Sequence, residues 1–204
     1  MEQVFPLFST PIFQSEIKVD SSIKEQLINE KFKLIDVENN GEYSEDFFVL
    51  KKYQSLKTQI DIAVDRYVHN ILQISKKITF NLQNSWITKQ TPNSQGLSHC
   101  HSNSIISGVL YLKTPDNSGR IVFVKHENQP TVAPPFLSIP FDEYNLYNSN
   151  SWYVEPKEDM ILLFPSHIFH GIDKNKSTEN RYSLSFNYFI KGTLKPNTIG
   201  ELVI

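Results

Sequence analysis

The sequence predicts a mainly β fold preceded by N-terminal helices, an α+β arrangement. Three observations carry this expectation. The first third of the chain holds two stretches of helical periodicity, the apolar pattern switches to alternation after Lys77, and short β-branched and aromatic runs then recur to residue 190. Pro, Gly, Asn and Asp clusters separate those runs. Many short strands in succession point to a sandwich or a jelly roll.

The first helical stretch is "VDSSIKEQLINEKFKL", where Ser22 and Glu25 form a capping box and Ile23, Leu27 and Leu34 lie along one stripe. The second, over residues 53–75, places Leu56, Ile60, Val64, Tyr67, Ile71 and Ile74 at spacings of three or four, the period of a buried helical face. Together they predict a helical N-terminal support over residues 20–76. Ile78, Phe80 and Leu82 then alternate with polar residues. Strand-like runs follow at 85–89, 105–113, 120–125, 151–155, 160–164 and 181–190, giving a β core over residues 78–190. Residues 127–150, "ENQPTVAPPFLSIPFDEYNLYNSN", form a connection long for a compact domain and read as a surface excursion or lid. A chain of 204 residues fits one domain, 1–204, with a substantial core.

The formal net charge of −2 gives no sign of a nucleic-acid surface. The single cysteine excludes an intramolecular disulfide and fits a reducing compartment. The opening "MEQVFPLFSTPIF" does not read as a signal peptide, and no run is apolar for long enough to span a membrane. A soluble, cytoplasmic protein without a membrane or nucleic-acid partner is the expectation, with oligomeric state left open.

Two histidine clusters carry the chemistry. In "SHCHSNSIISGVLYL", His99 and His101 are two residues apart; on a strand they would project from one face while Cys100 points away, an arrangement suited to a metal and equally open to two exposed loop histidines. In "LLFPSHIFHGIDKNKSTENRYSLSFNYFI", His167 and His170 follow the end of an apolar strand, and Arg181 opens the last one. Counting by two from Arg181 gives Ser183, Ser185 and Asn187 on one face, and Tyr182, Leu184, Phe186 and Tyr188 on the other. The polar face either meets water or lines a ligand cavity, where Arg181 and small hydroxyls would clasp a carboxylate with Tyr111 adding a hydroxyl.

The ordered set His-x-His, "SGVLYL", "SGRIVF", "LLFPSHIFHGI" and "RYSLSFN" resembles the 2-oxoglutarate- and iron(II)-dependent oxygenases, most nearly a prolyl-hydroxylase-like group of marine bacteria and their phages. The likeness covers residues 84–190 and extends to "PLFSTPIF" at the N-terminus. It implies a double-stranded β-helix (jelly roll); the two helices, which the likeness does not specifically cover, are expected to pack on one sheet. It also implies metal ligands at His99, His101 and His170, and a 2-oxoglutarate site at Arg181, Ser183 and Tyr111. The family pattern has an acidic residue where this chain has His101, so the implied set is three imidazoles; Asn103 is a poorer occupant of that position. His170 is favoured over His167 by its spacing to Arg181. His69 and His126 read as surface or satisfied core residues, Cys100 as a small buried filler and Trp86 as core.

The reading that follows is an iron(II)-, 2-oxoglutarate- and O2-dependent dioxygenase, a hydroxylase of an amino-acid side chain or small metabolite. Two alternatives stand beside it: a cupin-like three-His metalloenzyme that does not use 2-oxoglutarate, and a jelly-roll binding or structural module without chemistry.

Overall fold

The computed structural model describes residues 2–34, 41–125, 137 and 139–204. The N-terminal part runs β1 (Phe13–Glu16), α1 (Ser21–Ile28), β2 (Phe32–Leu34), β3 (Glu42–Ser44), a 3-10 turn (Val49–Lys52) and α2 (Gln54–Asp65), which continues as a π-helical turn over Arg66–Ile71. Then come β4 (Thr79–Gln90), β5 (Gly96–His99), β6 (Ile106–Lys113), β7 (Ile121–Val124), β8 (Ser151–Val154), β9 (Met160–Pro165), β10 (Phe169–Ile172) and β11 (Arg181–Lys191). A small C-terminal pair, β12 (Thr193–Leu194) and β13 (Leu202–Val203), closes the chain.

The first helix begins differently from its predicted capping box. Asp20 is its cap, its carboxylate accepting the Ser22 amide at 2.9 Å. The helix also stops at Ile28: the Asn29 side chain bonds back to the Glu25 carbonyl, and Phe32–Leu34 leave the helical stripe to pair with β3. Leu34, counted in that stripe, is exposed.

Eleven of the strands form two antiparallel sheets, a major one in the order β1-β9-β6-β11-β4-β3-β2 and a minor one in the order β5-β10-β7-β8. Each face of the major sheet has its own core. Leu110, Leu112, Ile161, Leu163, Leu184, Phe186 and Tyr188 pack against Leu27 of α1, Leu56, Ile60 and Val64 of α2, and Tyr67 of the π-helical turn that follows it. Full burial of such side chains contributes about 1.5–3 kcal/mol each. The Tyr188 hydroxyl donates to the Asp61 carboxylate at 2.5 Å, pinning α2 to β11. On the opposite face Val109, Tyr111, Leu162 and Phe164 meet Ile121 and Phe123 of the minor sheet. The predicted jelly roll with two helices on one sheet is therefore the observed architecture. The alternation of β11 sorts by core, since Leu184 and Phe186 face the helices while Arg181, Ser183 and Ser185 line the space between the sheets.

No helix among the described residues is long and apolar enough to cross a membrane. Of the predicted lid over 127–150, residues 127–136 and 138 lie outside the described residues, as does His126.

Candidate active site

Strand register builds the floor of the inter-sheet cavity row by row. Gln90 of β4 faces Arg181 of β11; Thr88 and Tyr111 flank Ser183; Trp86 and Val109 flank Ser185. Opposite residues in a sheet share a face, so this grid turns a wholly polar stripe of β11 into the base of a pocket. The cavity of about 270 Å³ is lined by these residues and by Tyr43, Leu97, Phe164, His99, His101 and His170.

The three histidines come from different segments and converge at the mouth. His170 lies opposite His99 across β5 and β10. His101 sits just beyond β5, its backbone amide donating to the Ser166 carbonyl at 3.0 Å. Ring centroids are 4.7 Å apart for His99 and His170, and 5.1 Å for each of the other pairs. One ligand atom from each lies within 4.8 Å of the others. His99 Nδ1 is 2.8 Å from the Leu97 carbonyl and His170 Nδ1 2.9 Å from the Ile168 carbonyl. A carbonyl only accepts, so both Nδ1 atoms donate, and in the neutral ring Nε2 keeps its lone pair for a metal. Burial pushes His101 down to about 3, with the neighbouring imidazoles adding to the shift, and pushes His170 down to about 4. Both rings are thus neutral at physiological pH, the form that ligates.

Deeper in the cavity, Arg181 is 1% exposed and pairs with no carboxylate among the described residues. Its Nη1 donates to Gln90 Oε1 at 2.7 Å, and its guanidinium carbon sits 5.0 Å from the Tyr111 ring centroid. Arg181 Nε, the Tyr111 hydroxyl and Gln90 Nε2 are buried without hydrogen-bond partners. A buried cation lacking a counter-charge is disfavoured by several kcal/mol; an entering carboxylate would offset that and satisfy orphaned donors at once. The residues fit both groups that the resemblance implies: imidazole nitrogen suits iron, and the guanidinium end suits a carboxylate.

The structure thus brings His99, His101, His170, Arg181, Ser183 and Tyr111 into one cavity. His167 and Asn103 are exposed and line no part of it. His69 is satisfied by the Ile74 carbonyl at 2.8 Å. Two expectations are corrected. Cys100 is exposed, because it lies past the end of β5 where neither sheet covers it. Trp86, predicted as core, is half-buried on the cavity wall with its ring 5.8 Å from His101, because its face of β4 looks between the sheets and not towards the helices. Gln90 and Tyr43 also line the cavity, and neither stood out in the sequence. The phase Trp86, Thr88, Gln90 on one strand face was the available signal for Gln90.

Three clustered imidazoles in one cavity with a buried guanidinium that meets no carboxylate among the described residues have the donor set of a metal-dependent enzyme. The family model described as "Putative 2OG-Fe(II) oxygenase" matches residues 84–187, just over half of the chain and the stretch that supplies every one of these six side chains. The chain belongs to that family, whose enzymes use iron(II), 2-oxoglutarate and O2. Solved structures agree in fold. HygX from Streptomyces hygroscopicus, solved with nickel and 2-oxoglutarate bound, superposes with a TM-score of 0.57 at 12% identity, over 88% of this chain and 82% of that one. A prolyl-4-hydroxylase from Pseudomonas putida gives 0.52 at 14% identity over 89% and 94%. A prolyl hydroxylase from Trichoplax adhaerens, solved with a peptide of hypoxia inducible factor, gives 0.57 at 14% identity over 90% and 85%. No curated protein matches the chain in sequence.

Proposed function

We propose that His99, His101 and His170 hold iron(II), that Arg181, Ser183 and Tyr111 anchor the distal carboxylate of 2-oxoglutarate, and that the enzyme hydroxylates an amino-acid side chain or a small metabolite. The observation that carries this is the guanidinium of Arg181, buried without a counter-charge in the same cavity as three clustered imidazoles. When bound, iron(II) and 2-oxoglutarate supply the oxidative chemistry that inserts oxygen into an unactivated C–H bond. The protein's own part is orientation and shielding. The Leu97 and Ile168 carbonyls set the tautomers of His99 and His170, and Phe123 and Phe164 flank His170 on its buried side. The helical region supports the sheet that carries Arg181, and the chain acts as one domain in the cytoplasm.

For the substrate, the mouth of the cavity favours an uncharged group. Tyr43, Trp86 and Leu97 line it beside the imidazoles, and Arg181 is the only Lys, Arg, Asp or Glu in the lining among the described residues. A neutral side chain or the apolar part of a metabolite therefore enters without leaving a desolvated charge unpaired. The test is succinate release from 2-oxoglutarate by the iron-loaded protein, with and without candidate peptides and metabolites. Release that requires iron and disappears in Arg181→Met is the expected result; metal binding without affinity for 2-oxoglutarate overturns the proposal.

A further inference from the structure

Of the three orphaned donors in the cavity, one belongs to a residue with no role so far: Gln90 Nε2. Resting on the 2-oxoglutarate reading of the Arg181 pocket, we propose that Gln90 is the residue that orients Arg181 and makes the pocket selective for a dicarboxylate. Its amide orientation follows from chemistry. A guanidinium has only donors, so the atom 2.7 Å from Arg181 Nη1 is Oε1, and Nε2 is left over as a donor in the same buried space.

The pair is held rigidly. Gln90 and Arg181 stand opposite each other on β4 and β11, each 1% exposed. The buried Asn175 side chain donates through Nδ2 to the Gln90 carbonyl at 2.9 Å and to the Glu179 carbonyl at 2.9 Å, which ties together the strand ends that bear them. Neutrality is the decisive property of Gln90. A carboxylate at this position would pair with the guanidinium and cancel its charge, so an incoming carboxylate would meet a satisfied cation and a like charge. Glutamine accepts one hydrogen bond, fixes the plane of the guanidinium and leaves the positive charge free. Its own Nε2 adds a donor which, buried and unmatched, is unfavourable until an acceptor arrives.

The experiment is calorimetric titration of 2-oxoglutarate and of pyruvate into manganese-loaded protein. Pyruvate has the same 2-oxo acid head but no distal carboxylate. The variants are Gln90→Met, Gln90→Glu and Arg181→Met, with metal content and thermal midpoint measured for each. Gln90→Met should weaken 2-oxoglutarate by roughly 10- to 100-fold, the value of one hydrogen bond to a charged group, with pyruvate affinity and metal content unchanged. Gln90→Glu, nearly identical in shape and still able to accept from Arg181, should weaken 2-oxoglutarate further than Gln90→Met. That order is opposite to what a purely structural role for Gln90 gives. Wild-type affinity for 2-oxoglutarate in both Gln90 variants, or equal losses for 2-oxoglutarate and pyruvate, overturns this inference while Arg181→Met still loses 2-oxoglutarate. If Arg181→Met binds 2-oxoglutarate normally, the reading of the pocket itself fails.

Discussion

His170 lies directly opposite His99 across β5 and β10, with ring centroids 4.7 Å apart and each Nδ1 held by the carbonyl two residues earlier in its own segment. The free nitrogen of each ring is therefore set by backbone of the minor sheet and of the turn that leads into it. Replacing either histidine by alanine should abolish stoichiometric binding of iron(II) or manganese, a greater loss than the roughly 10- to 100-fold that follows removal of an outer partner. The fold should persist, since neither ring belongs to the apolar cores. Metal analysis beside circular dichroism checks this, and a folded His170→Ala protein that keeps its metal removes the triad from consideration.

On the family resemblance His101 stands where an acidic residue is usual, so its role is tested apart from that of its neighbours. His101→Asp supplies a ligand atom and a negative charge; His101→Ala supplies neither. The aspartate variant should retain metal and the alanine variant lose most of it. Equal metal in wild type and His101→Ala would assign this ring to packing against Trp86.

Acid should act on the metal-free protein through the same rings. Burial holds His101 near 3 and His170 near 4, below the 6.5 of an unfolded histidine. Between those values the unfolded chain binds protons that the folded one does not, so stability present above pH 6.5 is lost as pH falls towards 4. The thermal midpoint should decline over that range, and His101→Gln, which removes one titrating ring, should flatten the decline. An unchanged slope in that variant contradicts the burial argument.

How much was legible follows from which residues sit on two-sided strands. The alternation of Arg181 to Tyr188 separates a polar from an apolar face because each face meets a different layer, and only the fold reveals that the polar face is enclosed. The helical stripe was legible for the same reason over Leu56, Ile60 and Val64 of α2 and Tyr67 of the turn that follows, which join the core under one sheet, whereas Ile71, in the same predicted stripe, is exposed at the end of the π-helical turn. Strands β5 and β10 were not: each is four residues long, and "GLSH" and "FHGI" carry glycine and histidine where a strand signal needs β-branched residues. Gln90 was legible only as a polar residue in phase with Trp86 and Thr88; its pairing with Arg181 was not, because that partner is 91 positions away, a distance that only strand register closes.

Glycine 171 shows how closely β5 and β10 approach. A Cβ at Gly171 would lie 2.8 Å from the Gly96 carbonyl oxygen and 3.3 Å from the Ser98 nitrogen, both backbone atoms that cannot swing aside. Gly171→Ala should push β5 away, destabilise the protein by about 1–3 kcal/mol, and weaken metal binding although no ligand is altered. Denaturant unfolding and a manganese titration measure the two effects; loss of stability with unchanged metal affinity would show that His99 adjusts independently of the strand pairing.

Trp86 is expected to bear on the substrate and not on the metal or its co-substrate. Its ring stands 5.8 Å from His101 and 6.3 Å from Tyr43, forming an aromatic wall on the open side of the cavity, two rows of the sheet away from the Gln90–Arg181 row. Trp86→Ala should therefore raise KM for the hydroxylated substrate by 10-fold or more, the value of a lost aromatic contact at about 0.5–1.5 kcal/mol beyond its area burial, while 2-oxoglutarate affinity stays at the wild-type level. Substrate-independent succinate release should continue, so the ratio of succinate formed to substrate hydroxylated should rise. Parallel measurement of both products in wild type and Trp86→Ala tests this, and a variant whose 2-oxoglutarate affinity falls with its substrate affinity would place Trp86 in support of His101 instead of on the substrate.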